Sequence, residues 1–325
     1  MSNPTPLIAP PKKRGRLYAI IAAAIVVVIA AVIAIVVLNN NNTSNDAGAA
    51  AGDSNAITEG LGSADDPVKI GVVGASDPYW SEYVDAAEAD GISVELVDFT
   101  DYAQPNPALT AGDLDLNQFQ HIIYLAQYNE NAGEDLTPIG ATAIYPLGLY
   151  STKYTALDEI GDGETVAVPN DASNLARGLL VLQSAGLVEL ADGGSPFSTI
   201  DDVLETSKVK VITLEAALTP TSLPDVAAAI INNDFVEDAG LTFEDALATD
   251  DPTDASAQPY INIFASRAGD ADNEVLLRLV ELFQTTPAVT DGLIEVSGGT
   301  AVLATTPVEE LQASLKDVQA DVAAQ

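Results

Sequence analysis

The chain has 325 residues and carries 12 Lys and Arg against 48 Asp and Glu, a formal net charge of −36. Such an acidic body is repelled by phosphate backbones and anionic lipid head groups, so we set nucleic-acid binding aside. One histidine and no cysteine exclude disulfides, histidine- or thiolate-based metal sites within one chain, a cysteine nucleophile and a lipid-modified N-terminal cysteine. We expect no cofactor.

Residues 1–16 form a polar, proline-containing tail that ends in KKRGR, and residues 17–38 are uncharged and nearly all Ala, Ile and Val. That length spans a bilayer as a helix of roughly 30 Å, so we predict one transmembrane helix. A cleaved signal peptide is the alternative, although no small-residue cleavage site follows at once. The preceding basic cluster predicts a cytoplasmic tail, a single pass through the cell membrane and an extracytoplasmic body.

Residues 39–66 consist mainly of Asn, Ala, Gly, Ser and Asp, and we expect a flexible linker there. The folded body is expected to begin near Val68. From that point short apolar runs alternate with helical patterns. Strands are predicted at residues 68–73, 94–99, 165–169, 209–214, 227–231 and 260–266, and helices at 80–90, 170–185, 273–284 and 307–323. This alternation predicts an α/β fold with parallel sheets, and the length of the body suits two lobes.

The segment 101–125 holds the only histidine, His121, among spaced aromatic residues: Tyr102, Phe119 and Tyr124. Between them lies a polar run with two prolines and a glycine, which we interpret as turns. The pattern predicts a loop-rich segment that lines a pocket. A histidine with a purely structural role is the competing interpretation.

Two further stretches suggest a binding site for a small molecule. Asn174 and Arg177 share one face near the start of a predicted helix, where backbone N–H groups and a guanidinium favour a carboxylate. Asn232 follows an apolar strand, and ligands of open α/β sheets lie beyond the carboxyl ends of strands. The simpler readings are a surface arginine paired with one of many acids, and an asparagine turn.

Catalytic motifs are missing from the sequence: it contains no GxSxG, no phosphate-binding GxxxxGK[ST] and no HExxH. A carboxylate pair stays open as a catalytic device because acids are so abundant. The missing motifs favour a binding protein over an enzyme.

The body resembles the methionine-binding lipoproteins, the substrate-binding components of methionine ABC importers. The most specific matching elements are FQH at 119–121, PNDASNLAR at 169–177 and DVAAAIIN at 225–232. The matching stretches cover residues 97–125, 145–187, 214–241 and 260–273, in the order of the family.

The resemblance implies an α/β, two-lobed periplasmic-binding-protein fold of type II, with the ligand cleft between the lobes. Lobe 1 would comprise residues 67–148 and 259–325, and lobe 2 residues 149–258. The implied ligand is methionine, in the L or D form, and the implied partners are an ABC permease and its ATPase subunit. We expect a monomeric binding domain with no covalent chemistry.

The family's binding residues carry over to positions whose motifs match. Tyr102, Phe119 and Tyr124 would cradle the thioether side chain, a contact that sulfur favours, and His121 would be the polar member of that cradle. Asn174 and Arg177 would clamp the carboxylate, and Asn232 would hold the amino-acid backbone.

Three departures from the family stand out. The lipid-anchored cysteine is missing, and the segment 17–38 would replace it. The glycine-rich opening reads GASDPYW, without the family's Pro-His pair, and a tail of about 18 residues follows the last strand. The rival functions are a receptor for another amino acid, a methionine derivative or a dipeptide, a membrane-anchored sensor or interaction module, and an enzyme on the same fold.

Overall fold

The structure is a computed structural model that describes residues 56–325. The basic tail expected at 1–16, the membrane span at 17–38 and the linker up to residue 55 lie outside these residues. Among residues 56–325, no helix combines the length and the apolar character that a membrane crossing requires. The span at 17–38 therefore stays a prediction.

The described residues build two five-stranded sheets and a small two-stranded ladder. The strands are β1 (Val68–Val73), β2 (Val94–Phe99), β3 (Leu116–His121), β4 (Thr137–Ala141), β5 (Ala143–Ile144), β6 (Gly148–Tyr150), β7 (Thr165–Pro169), β8 (Lys210–Leu214), β9 (Ala228–Ile231), β10 (Ala248–Thr249), β11 (Asn262–Ser266) and β12 (Val302–Leu303). The first sheet has the order β2-β1-β3-β11-β4 and the second β10-β6-β9-β7-β8, while β5 pairs with β12.

Both sheets are mixed, which corrects the expectation of parallel sheets. β1 runs parallel to β2 and β3, and β7 runs parallel to β8 and β9. β11 is antiparallel to β3 and β4, and β6 is antiparallel to β9 and β10. The chain passes from the first sheet to the second before β6 and returns before β11, so the strands that follow these crossovers enter their sheets from the opposite end.

Eight α-helices cover the sheets within residues 56–325. They are α1 (Pro78–Ala89), α2 (Pro105–Ala111), α3 (Ile122–Ala132), α4 (Ala172–Ser184), α5 (Thr219–Ser222), α6 (Glu274–Thr285), α7 (Pro287–Val296) and α8 (Val308–Ala323). Helices α1, α4, α6 and α8 lie where the sequence predicts them. We predicted turns, not a helix, over α2. Its prolines occupy the first turn, where a missing N–H costs nothing, and Gly112 ends it with a φ of 81°.

An aromatic cluster fixes two helices to the first sheet. Trp80 and Tyr83 of α1, Phe283 of α6 and Phe264 of β11 are all almost fully buried. The ring of Phe283 lies 5.7 Å from Trp80, 5.4 Å from Tyr83 and 5.2 Å from Phe264 between centroids. Burying each of these side chains contributes about 1.5–3 kcal/mol, so the cluster is a main source of stability for this part of the fold.

The packed body begins earlier than Val68, the start expected from the sequence. Ile57 and Leu61 pack against the apolar core of the first sheet, and the backbone N–H of Ile57 donates to the carbonyl of Gly91 at 2.9 Å. These two isolated apolar residues in a polar segment gave no periodic pattern, so the sequence alone did not separate them from the linker.

A further apolar cluster joins the two sheets. Tyr102, in the loop after β2, and Phe119 of β3 pack with Tyr150 of β6, Ile231 of β9 and Phe235, in the loop after β9. The rings of Tyr102 and Phe235 lie 5.1 Å apart. The space between the carboxyl ends of β3 and β9 is therefore closed by contacts from both sides.

Candidate ligand-binding site

The seven residues singled out in the sequence meet at one small cavity between the two sheets. It is lined by Tyr102, Phe119, His121, Tyr124, Asn174, Arg177 and Asn232, and also by Gln120, Tyr145, Asn233, Asp234 and Asn262. The cavity lies at strand ends, where β3 leads into α3, β7 leads into α4 and β9 leads into a polar loop. Its volume is about 20 Å³, room for a single water molecule. In this arrangement the walls are almost in contact.

Three aromatic rings form one wall of the cavity. The ring of Phe119 lies 5.9 Å from Tyr102 and 5.7 Å from Tyr124. The hydroxyl of Tyr124 donates to the backbone carbonyl of Tyr102 at 2.9 Å, which fixes the loop before α2 against α3. This wall offers polarizable faces to an apolar side chain.

His121 immediately precedes α3, and its side chain caps the N-terminus of that helix. Its Nδ1 accepts the backbone N–H of Tyr124 at 3.2 Å. Burial, followed by the positive charge of Arg177, lowers the pKa of His121 to about 3. The ring is therefore neutral at physiological pH. Because Nδ1 is an acceptor, Nε2 carries the proton, and this buried N–H has no hydrogen-bond partner among residues 56–325.

Arg177 is held on three sides by the two segments that connect the sheets. Its Nε donates to the carboxylate of Asp250 at 2.6 Å, and its Nη2 donates to the backbone carbonyl of Tyr145 at 2.7 Å. The guanidinium carbon lies 4.3 Å from the ring centre of Tyr260, a cation–π contact. Neither hydrogen bond uses Nη1, so the guanidinium has donors left for an anion.

Asn174 and Asn232 form a chain of amides that begins at the cap of α4. Asp171 caps the helix by accepting the backbone N–H of Asn174 at 2.9 Å, and it also accepts the side-chain amide of Asn174 at 3.1 Å. Asn174 in turn accepts the amide N–H of Asn232 at 3.1 Å. The Oδ1 of Asn232 is buried and has no partner within the described residues. This chain leaves one unused acceptor at the cavity that Arg177 also lines.

These groups complement a small zwitterion with an apolar side chain. The guanidinium of Arg177 and the N–H of His121 are donors for a carboxylate, and the oxygen of Asn232 is an acceptor for an ammonium group. Unsatisfied buried polar atoms are costly, so a ligand that engages them gains free energy on binding. Among residues 56–325, no cluster of three or more His, Asp or Glu side chains could hold a metal ion.

Several site residues were not predicted from the sequence. Asp250 and Tyr260, which hold Arg177, and Asp234 and Asn262, which line the cavity, carry no motif of their own. Asp250 stands in the run TDDPTD, where nothing separates it from its acidic neighbours. Asn262 opens β11, and its position at the start of a predicted strand was the only signal available.

Comparisons with known proteins agree with this picture. A probable D-methionine-binding lipoprotein, MetQ of Pasteurella multocida (strain Pm70), is 43% identical over 216 residues, which are 66% of this chain and 77% of the relative. A solved periplasmic substrate-binding protein of an ABC transporter from Coxiella burnetii is 36% identical, with a TM-score of 0.67, over 73% of this chain and 100% of that chain. A nutrient binding protein from Burkholderia cenocepacia bound to methionine is 36% identical, with a TM-score of 0.68, over 73% and 99%.

The α/β fold with mixed sheets is that of periplasmic substrate-binding proteins, and the resemblance seen in the sequence is confirmed. The NlpA lipoprotein family matches residues 68–304, nearly the whole described body. On this match, the chain belongs to the NlpA lipoprotein family.

Proposed function

We propose that the chain is the extracytoplasmic methionine receptor of an ABC importer and delivers its ligand without covalent chemistry. One observation carries the proposal: within the described residues, His121 Nε2, Asn232 Oδ1 and Arg177 Nη1 have no hydrogen-bond partner, and they belong to a cavity that three aromatic rings also line. Two relatives support the choice of ligand: one from Pasteurella is named a probable D-methionine-binding lipoprotein, and a nutrient binding protein from Burkholderia was solved bound to methionine.

The two sheets would be the cores of two lobes of type II, lobe 1 at residues 67–148 and 259–325 and lobe 2 at 149–258. The crossovers before β6 and before β11 would then act as the hinge. A cavity of about 20 Å³ is far too small for an amino acid. Methionine would therefore enter with the lobes apart, and the lobes would close around it with a wider cavity than this one.

Each ligand group has an assigned partner in this proposal. Arg177 would bind the carboxylate, with Asn174 holding the amide chain beside it, and the N–H of His121 would add a second donor. Asn232 would accept from the ammonium group. Tyr102, Phe119 and Tyr124 would enclose the thioether.

The partners and the location of the chain are part of the same proposal. The permease and its ATPase subunit would receive the ligand, and the segment 17–38 would anchor the receptor in the cell membrane with its N-terminus in the cytoplasm. The lipid anchor of the family would be replaced because the sequence has no cysteine.

Calorimetric titration of the full chain with L- and D-methionine tests the proposal. Arg177→Ala should weaken binding roughly 100-fold, since a buried charge-assisted pair contributes about 3 kcal/mol. Arg278→Ala is the matched control, because Arg278 pairs with Asp90 and Glu281 on the surface and should leave affinity unchanged. No heat of binding with either methionine, or equal affinities for wild type and Arg177→Ala, would overturn the assignment.

A further inference from the structure

A second, larger cavity adjoins the one that would hold methionine. Its volume is about 270 Å³, and it shares the lining residues Tyr145, Asn233 and Asp234 with the smaller cavity. Residues 73–79, 98–100 and 296–297 contribute to it from lobe 1, and the stretch 233–243 contributes from lobe 2. Opening the cleft would therefore separate the two sides of this cavity.

The charges on both sides of this cavity have the same sign. Asp77 and Asp98 line it from lobe 1, and Asp234, Glu237 and Asp238 line it from lobe 2. No Lys, Arg or His is found among its lining residues within the described chain. The uncharged polar residues around it are Ser76, Tyr79, Thr100, Tyr145, Asn233 and Ser297.

Asp77 is the carboxylate whose pKa is raised by negative charges from both proposed lobes. It stands at the start of α1, and its side chain makes no capping hydrogen bond to that helix. Burial, followed by the negative charges of Glu237 and Asp98, raises its pKa from 3.8 to about 6. Glu237 belongs to the opposite lobe and Asp98 to the end of β2, so part of the effect on Asp77 exists only while the cleft is closed.

Asp234 faces the same cavity from lobe 2. Desolvation of its carboxyl group and the charge of Asp77 raise its pKa, hydrogen bonds from Tyr102 and Asn233 lower it, and the net value is about 7. Arg177 lines the adjoining cavity, but its charge is already paired with Asp250. Closure thus brings together carboxylates that no cation lining this cavity neutralises.

We propose that closure of the cleft is proton-linked through the carboxylates that face one another from the two lobes, so that methionine binds more tightly as the pH falls. The part of this inference that concerns affinity rests on the proposed function.

The direction of the pH effect follows from the linkage between proton binding and closure of the cleft. A carboxyl whose pKa is higher in the closed arrangement binds more protons there, so protons favour closure. The advantage is complete below the pKa of the open arrangement, near 4 for a solvated carboxyl, and is lost as the pH rises through about 6 to 7.

Replacing Asp77 by asparagine removes one of the opposed charges and no hydrogen bond of the helix cap. Because solvent screens part of the repulsion, we take only half of the rise in the Asp77 pKa to be lost when the cleft opens. That half corresponds to a change of about tenfold in the equilibrium between the open and the closed arrangement. Asp77→Asn should therefore bind methionine about tenfold more tightly than wild type at pH 8, and the two should converge near pH 5. Glu237→Gln, from the opposite lobe, should shift affinity in the same direction.

The measurement is calorimetric titration of the full chain with methionine at pH 8, 7, 6 and 5, with Glu88→Gln on the exposed face of α1 as the charge control. Glu88→Gln should follow the wild-type profile. If Asp77→Asn follows wild type at every pH, or binds more weakly at pH 8, the inference is wrong.

Small-angle scattering without ligand tests the inference independently of methionine. The radius of gyration should be smaller at pH 5 than at pH 8 in wild type, and Asp77→Asn should show less of this difference. Circular dichroism at each pH confirms that the fold is intact. A chain that binds no methionine at any pH refutes the proposed function, whereas an unchanged radius refutes proton-linked closure.

Discussion

The hydroxyl of Tyr102 makes a hydrogen bond across the cleft. It donates to Oδ2 of Asp234 at 2.7 Å, so it joins the proposed lobes only when they are closed. A hydrogen bond to a charged group contributes about 1.5–3 kcal/mol. This hydrogen bond is only partly buried, so we take the lower end, about 1.5 kcal/mol. Tyr102→Phe should therefore raise the Kd for methionine about tenfold at pH 8.

The aromatic wall should survive this substitution. The phenylalanine ring can keep its position 5.9 Å from Phe119, and the backbone carbonyl at position 102 still accepts from Tyr124. Because the pKa of Asp234 is about 7, the carboxyl is neutral at pH 5.5. A neutral bond contributes about 0.5–1 kcal/mol, so the loss should shrink there to two- to fivefold.

Tyr154→Phe is the matched control for isothermal titration calorimetry. Tyr154 also donates to a carboxylate at 2.7 Å, that of Glu164, but both residues lie in the loops between β6 and β7 and neither lines the cavity. Affinity should be unchanged in this variant. Equal affinities of Tyr102→Phe and wild type at pH 8 would refute the cross-cleft bond as a contribution to closure, and so would an equal loss in Tyr154→Phe.

Three further substitutions test other parts of the structure. Asp250→Ala removes the carboxylate paired with the buried guanidinium of Arg177. Urea unfolding should show a free energy of unfolding lower by about 2 kcal/mol. This loss is smaller than that expected for breaking a fully buried pair, because Asp250 is partly exposed. His121→Gln should lessen acid destabilisation. The folded pKa of His121 lies near 3, below the unfolded value, so wild type loses about 1.4 kcal/mol per pH unit relative to the variant as the pH falls from 6.5 to 4.5. Phe283→Ala should cost about 3–5 kcal/mol without changing methionine affinity.

A specific outcome would contradict each of these three expectations. Asp251→Ala is the neighbouring control, since within the described residues the side chain of Asp251 bonds only to Thr253. Equal destabilisation by both variants would contradict the role of Asp250. Parallel stability curves of wild type and His121→Gln between pH 6.5 and 4.5 would mean that the ring is not held neutral. A loss of methionine affinity in Phe283→Ala would mean that the aromatic core and the cavity are coupled.

The strands were predictable where a single physical signal dominates. β1, β2 and β7 are short apolar runs between turn residues, and they lie where the sequence places them. The direction of a strand leaves no such trace in its composition. Antiparallel β6 and β11 follow from where the crossovers run, which is a property of the whole chain.

The site was predictable only as far as its motifs reach. The residues of the FQH and PNDASNLAR elements meet at one cavity because their strands end at the same place. Asp250 and Asp234 were beyond reach, because a chain with 48 acidic residues gives no way to tell a paired carboxylate from a solvated one. The structure separates them by burial and by their partners.

The way in which Arg177 is held has a consequence for the order of events on binding. Its partners Tyr145, Asp250 and Tyr260 all belong to the segments that connect the sheets, near the axis about which the proposed lobes would turn. Groups near an axis move little, so the proposed anchor for the ligand's carboxylate would already be in place when the cleft is open. The carboxylate of the ligand would bind to Arg177 first. The lobe that carries the three aromatic rings would then close over the bound ligand.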